Sequence, residues 1–142
     1  MPIELPDINV LIALADSHHE VAESWFESVG AGWATCPFTE SGFVRIVSNP
    51  AYASLAFTVP EAASTLRDII ARKPATHHFW SDDISLLDPG IFRTEAIRGP
   101  AQIADIYLLG LCQQHRGTLV TIDSRITLAA IVNPHPDLIR PL

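Results

Sequence analysis

Apolar positions along this chain alternate between two rhythms: short unbroken runs, and longer stretches in which they recur every three or four residues. Such alternation predicts strands and helices in turn. It points to an α/β domain with a mainly parallel sheet, built as a three-layer α/β/α sandwich. Residues 2–6 predict a first strand, ended by Asp7, and residues 9–15 (NVLIALA) a buried helix. Ser17-His18-His19-Glu20 has the Ser-x-x-Glu spacing of a capping box, in which Ser and Glu satisfy free N–H groups at a helix start. The helix it would open carries Val21, Trp25 and Val29 in one stripe and stops at Gly30. Residues 33–36 predict a second strand. Pro37 then opens a helix at the position where a missing N–H costs least, with Phe43, Val44, Ile46 and Val47 as its apolar positions.

Residues 51–58 read as a loop, and Thr58-Val59-Pro60-Glu61 as a second capping box leading into a helix with Leu66, Ile69 and Ile70. A third strand is expected at 76–80, irregular chain with one short helix at 82–100, and a strongly apolar helix at 101–115 ending at Gly117. The run TLVTI at 118–122 is the clearest strand, and 138–140 predicts a last edge strand. Without repeats, low-complexity tracts or linkers, residues 1–142 are expected to form a single domain.

Composition agrees with this pattern. Hydrophobic residues make up 48% of the 142 and charged residues 18%, enough for one substantial core. The longest uninterrupted apolar run, residues 106–112, is far too short to cross a bilayer. The start MPIELPD has no basic region followed by an apolar block, so no signal peptide is expected. Cys36 and Cys112 form no CxxC motif and read as buried, reduced thiols, which favours the cytoplasm. The net charge of −7 opposes passive binding to nucleic acid, because nonspecific affinity comes from Lys and Arg neutralising phosphates. Setting aside four acids as a cation site leaves 12 acids against 9 bases, or −3, and the objection weakens.

Those four acids are Asp7, Glu40, Asp105 and Asp123. Asp7 and Asp123 fall where strands end, and in open parallel sheets the carboxyl ends of strands form the ligand crevice. The alternative for each is to cap the next element, a role that suits Asp. Asp105 lies in the apolar segment IADIYLL, where an unpaired carboxylate is costly. It therefore has a cation or a cleft beside it, or else sits in the first helical turn, favoured by the dipole. Glu40 near the start of its helix has the same dipole explanation. Four carboxylates brought together repel by about 4 kcal/mol per pair at 4 Å and an effective dielectric of about 20. A hard divalent cation with oxygen ligands, Mg²⁺ or Mn²⁺, reverses that sign.

The ordered segments Pro6-Asp7-Ile8-Asn9-Val10-Leu11, Thr39-Glu40-Ser41-Gly42-Phe43-Val44-Arg45, Ala104-Asp105-Ile106-Tyr107-Leu108-Leu109 and Leu119-Val120-Thr121-Ile122-Asp123 resemble the PIN-domain nucleases, most closely the VapC toxins of toxin–antitoxin pairs. The resemblance spans nearly the whole chain. It implies a PIN-like fold and a catalytic tetrad of Asp7, Glu40, Asp105 and Asp123, with Asp7, Asp105 and Asp123 as metal ligands. Asn9 and Thr121 match supporting positions, and Ala104 departs from the Thr that relatives often carry. The implied activity is Mg²⁺- or Mn²⁺-dependent endoribonuclease, with an RNA substrate, a cognate protein antitoxin and a homodimer as partners, the apolar N-terminal helices being candidates for the dimer interface. The rival reading is a catalytically silent protein of the same fold holding a structural divalent cation.

Arg45, Arg98 and Arg125 are the basic side chains best placed by sequence to meet an RNA backbone, since guanidinium matches phosphate bidentately. Each has the alternative of a solvated surface charge or an internal ion pair. The pairs His18-His19 and His77-His78 point apart on any regular element and make poor bidentate metal sites. Gly30-Ala31-Gly32 lacks the third glycine of a dinucleotide loop. Trp25, Trp33 and Trp80 read as core.

Overall fold

The computed structural model describes residues 2–16, 19–52 and 56–142. Among these, five strands form one parallel sheet: β1 (Glu4–Pro6), β2 (Trp33–Thr35), β3 (His77–Phe79), β4 (Thr118–Thr121) and β5 (Ile139–Pro141). The order is β3-β2-β1-β4-β5. The chain steps outward from the central β1 through β2 to β3, then returns to lay β4 and β5 on the other side. The reversal falls between β1 and β4, so this sheet's switch-point crevice opens above those two strands.

The helices are α1 (Ile8–Ala15), α2 (Glu20–Ser28), α3 (Pro37–Val47), α4 (Val59–Arg72) and α5 (Ile103–Gln114). Strand residues alternate between the two faces of the sheet, and the core divides accordingly. Trp33 and Val120 belong to one apolar cluster with α1 to α4, including Leu11, Phe26, Phe43 and Leu66. Leu5, Ala34 and Leu119 belong to the other, with Ile106, Leu109 and Cys112 of α5 and with Phe92, Ile131 and Leu138. The result is the expected three-layer sandwich.

Local chemistry sets the element boundaries. Thr58 and Glu61 form the reciprocal capping box that starts α4, and Pro37 occupies the first turn of α3. Gly42 lets α3 approach α1 closely, because a Cβ there would meet Ile8 Cδ1 at 2.3 Å. Gly32, at φ 136°, takes the left-handed conformation that leads into β2. At the end of α5 the left-handed residue is Arg116 rather than Gly117, whose lack of a side chain instead admits the Trp80 ring.

The second helix differs from the expectation. Ser17 and His18 lie outside the described residues, and the residue that caps α2 is His19, whose Nδ1 accepts from Ala22 N–H at 3.4 Å. The helix ends at Ser28, with Val29 as its cap. Val21 is 50% exposed, and the buried stripe is Ala22, Trp25 and Phe26. Val21 instead borders an open groove with Ser24, Arg140 and Leu142, while Ala22 of the same turn is fully buried. Helix α1 buries Val10 to Leu14 against its own chain, so its apolar residues are already used inside the domain. The irregular segment 82–100 contains a 3₁₀ turn at Thr94–Ala96, a further one at Pro100–Gln102 leads into α5, and Phe92 bridges Ile131 in antiparallel fashion. Among the described residues no helix is long and apolar enough to cross a membrane.

Candidate active site

Asp7 directly follows β1 and caps α1. Its backbone N–H donates to Val120 O of β4 at 2.9 Å, and its Oδ1 accepts from Val10 N–H at 2.9 Å. Both readings of a strand-end acid therefore hold at once: the side chain caps a helix and sits at the switch point. It is 2% exposed. Burial pushes its carboxyl up, while the Thr121 hydroxyl and the N–H groups of Val10 and Asn9 pull it back, and nearby Asp123 adds a smaller push upward.

Thr121, the last residue of β4, joins two acids. Its hydroxyl donates to Asp7 and accepts from Asp123 N–H at 2.9 Å. Asn9 contributes through its backbone N–H, and its side chain is exposed.

Asp105 lies in the first turn of α5, not in the helix interior that its apolar neighbours suggested. The dipole at a helix start favours a carboxylate. Even so, burial, followed by the charges of Asp7 and Asp123, pushes the Asp105 carboxyl up to about 6, with Arg125 opposing. Desolvation and like-charge repulsion outweigh the dipole here. The same rise shows that three aspartates from β1, β4 and α5 share one electrostatic environment. Asp105 and Asp123 line a cleft of about 220 Å³ together with Gln102, Ile106, Arg125 and Thr127.

Asp123 has a different partner. Its Oδ1 accepts from Arg125 N–H at 2.9 Å and from Arg125 Nε at 3.0 Å, and its Oδ2 accepts from the guanidinium at 3.1 Å. This fork holds the Asp123 carboxyl below the usual range. Of the two alternatives for Arg125, the internal ion pair is the one formed. With the Arg125 side chain 88% exposed, the pair is screened by water and opens at low cost. As the side chains stand, among the described residues no group of three His, Cys, Asp or Glu is gathered closely enough to hold a metal ion.

Glu40, in the first turn of α3, turns to β2: its Oε2 accepts from the Thr35 hydroxyl at 2.7 Å, and that hydroxyl lies 2.8 Å from His77 Nε2. The structure thus gathers Asp7, Asp105 and Asp123, and sets Glu40 on a separate hydrogen-bonded chain at the same edge of the sheet. Arg98 is exposed just ahead of α5, with its N–H donating to Gln102 Oε1 at 2.9 Å. Arg45 lines a different groove, with Asn49 and Tyr52. Cys36 and Cys112 are buried free thiols, as composition suggested. Sequence reading missed Thr35 and His77, because their meeting depends on the pairing of β2 with β3, which no local pattern encodes.

A parallel α/β sheet with three aspartates at its switch point defines a PIN-like domain with an acidic crevice. No protein-family model matches the chain. Curated proteins of Mycobacterium tuberculosis do: ribonuclease VapC44 is 39% identical over 133 residues, covering 89% of this chain and 90% of its own length. Ribonuclease VapC38 is 38% identical over 134 residues, covering 92% of each. Ribonuclease VapC39 is 35% identical over 130 residues, covering 89% of this chain and 92% of its own length. The chain belongs to the VapC ribonuclease family. In fold it is similar to a chain in the crystal structure of VapBC2 from Rickettsia felis bound to a DNA fragment from their promoter, with a TM-score of 0.53, 15% identity and 96% of each chain covered.

Proposed function

We propose that this protein is the toxin of a toxin–antitoxin pair, a Mg²⁺- or Mn²⁺-dependent endoribonuclease that hydrolyses RNA phosphodiester bonds at the crevice above β1 and β4. Kinship with ribonucleases over some nine-tenths of the chain supports RNA hydrolysis. The observation that carries the metal site is the raised Asp105 carboxyl. Asp105 is pushed up by burial and by the charges of Asp7 and Asp123, and these three oxygen donors form a set suited to a hard divalent cation. Asp7, Asp105 and Asp123 would hold the ion, Asp123 after its exposed fork with Arg125 opens. When bound, such an ion supplies hydroxide from water and polarises a phosphoryl oxygen.

The chain's own residues do the rest. Thr121 and the first amides of α1 fix Asp7. Glu40 orients the attacking water. Arg125, once released from Asp123, faces the same cleft and offers its fork to a phosphate; Arg98, exposed just ahead of α5, is a further contact for the RNA backbone. No side-chain nucleophile is required. Ala104 removes no ligand.

A protein antitoxin as partner is supported by kinship to VapC ribonucleases and by the fold neighbour's place in a VapBC2 structure. Association with a second copy and residence in the cytoplasm belong to the same proposal. No observation favours the silent alternative. Incubating purified protein with total RNA and Mn²⁺ tests the proposal: discrete fragments are expected, lost with EDTA and restored by added Mn²⁺. Cleavage that persists in EDTA would contradict the metal, and no cleavage under any condition would contradict the enzyme.

A further inference from the structure

The Thr35 hydroxyl stands between two ionisable side chains, 2.7 Å from Glu40 Oε2 and 2.8 Å from His77 Nε2. A hydroxyl has a single proton to give. A carboxylate only accepts, so that proton goes to Glu40. The second contact then requires a hydrogen on His77 Nε2, donated to Thr35 Oγ1. The polarity of the chain is fixed: His77 Nε2–H to Thr35, Thr35 O–H to Glu40.

We infer that His77 is a positioning residue that acts through Thr35 to orient the Glu40 carboxylate at the edge of the active site. The inference rests on the reading of Glu40 as the residue that orients water.

Three features of the fold make this arrangement specific. In the β2–β3 pairing Trp33 lies opposite His77, so Thr35, two residues along β2, shares their face of the sheet. The His77 ring also packs on Trp33, with centroids 4.7 Å apart, which limits its rotation. Thr35 is fully buried, and a buried hydroxyl needs its partners. Burial pushes the His77 ring toward its neutral form, against the pull of Glu40 and with the push of His78. A neutral ring carries one proton, and the geometry assigns it to Nε2 rather than Nδ1. Glu40 also borders the groove between α3 and α4 that contains Arg67, an alternative partner for a carboxylate released from Thr35.

The experiment has two arms. In ¹⁵N-labelled wild-type protein at neutral pH, long-range ¹H–¹⁵N correlation reads the His77 tautomer directly. A protonated Nε2 with a bare Nδ1 is expected, and the reverse overturns the inference without any variant having to fold. In kinetics, His77→Phe keeps a ring on Trp33 but removes the donor. It is expected to lower kcat for RNA about tenfold, the effect of one hydrogen bond, with KM nearly unchanged. His77→Gln, which keeps an N–H donor, should recover part of that loss. In a Glu40→Gln background the same change should have no further effect, and an undiminished tenfold loss there overturns action through Glu40. An unchanged rate for Glu40→Gln alone would remove Glu40 from the chemistry, whatever the tautomer. That failure belongs to the reading of Glu40 and is distinguishable from a failed hydrogen-bond chain.

Discussion

Asp105→Asn is expected to stabilise this protein near neutral pH while disabling it. The folded protein holds the Asp105 proton more tightly than an exposed aspartate does, at about 6 against an ordinary 3.8. A group raised in this way contributes stability that is fully present below about pH 4 and lost as pH rises through about 6. At about 1.4 kcal/mol per tenfold change in proton affinity, the ceiling on that loss is near ~3 kcal/mol. Asp105 is only partly buried, so solvent screening brings the expected value to about 1 kcal/mol. Asparagine has the same shape without the charge. The variant should match the wild type at pH 4, gain on it between pH 4 and 6, and lead above that by a constant margin. In thermal melts this margin is about 3 °C for a domain of this size. Adding Mn²⁺ at neutral pH should raise the midpoint of the wild type and leave the variant nearly unmoved. A variant less stable than wild type at neutral pH, or a difference independent of pH, would refute the claim that Asp105 is strained by burial and by its acidic neighbours.

Three other changes test separate parts of the account. Gly42→Ala gains about 1 kcal/mol of helix propensity but sets a Cβ against the movable end of Ile8, so its net effect in urea denaturation should lie within about 1 kcal/mol of zero; in an Ile8→Val background, which deletes that methyl, the same change should be clearly stabilising. Thr121→Val removes the donor to Asp7 and the acceptor of Asp123 N–H, and should cost about 1–3 kcal/mol together with most of the RNA cleavage. Arg125→Ala frees Asp123 Oδ2 and leaves Oδ1 with only the backbone N–H of residue 125; calorimetric titration should show Mn²⁺ bound more tightly and RNA more weakly, with an unchanged melting midpoint, and weaker Mn²⁺ binding would count against Arg125 as a competing cation.

How far the sequence could be read depended on whether a feature is local. The capping box at Thr58 and Glu61, Pro37 at the start of α3, and the strand at β4 are short-range signals, and each formed as expected. The stripe of α2 differs from the expectation because spacing gives the period of a helix and not which of two neighbouring stripes faces the core; hence Ala22 and Phe26 are inside and Val21 is outside. Asp105 was singled out for the apolar residues around it, and its raised carboxyl has the expected cause. Its place in the first turn was the alternative left open. Convergence of Asp7 and Asp123 follows from the strand order, since β1 and β4 flank the switch point. The fork of Arg125 on Asp123 and the chain from His77 to Glu40 depend on side-chain rotation and cross-strand register, which residue identities alone do not carry.

The central claim is that the crevice of Asp7, Asp105 and Asp123 is where RNA is cut. Single-turnover cleavage of one RNA in Mn²⁺, comparing wild type with an Asp105→Asn variant shown by circular dichroism to be folded, tests it most directly. The account predicts a rate at least about a hundredfold lower for the variant, since a lost ligand removes metal-assisted attack. Equal rates for the two folded proteins would contradict it.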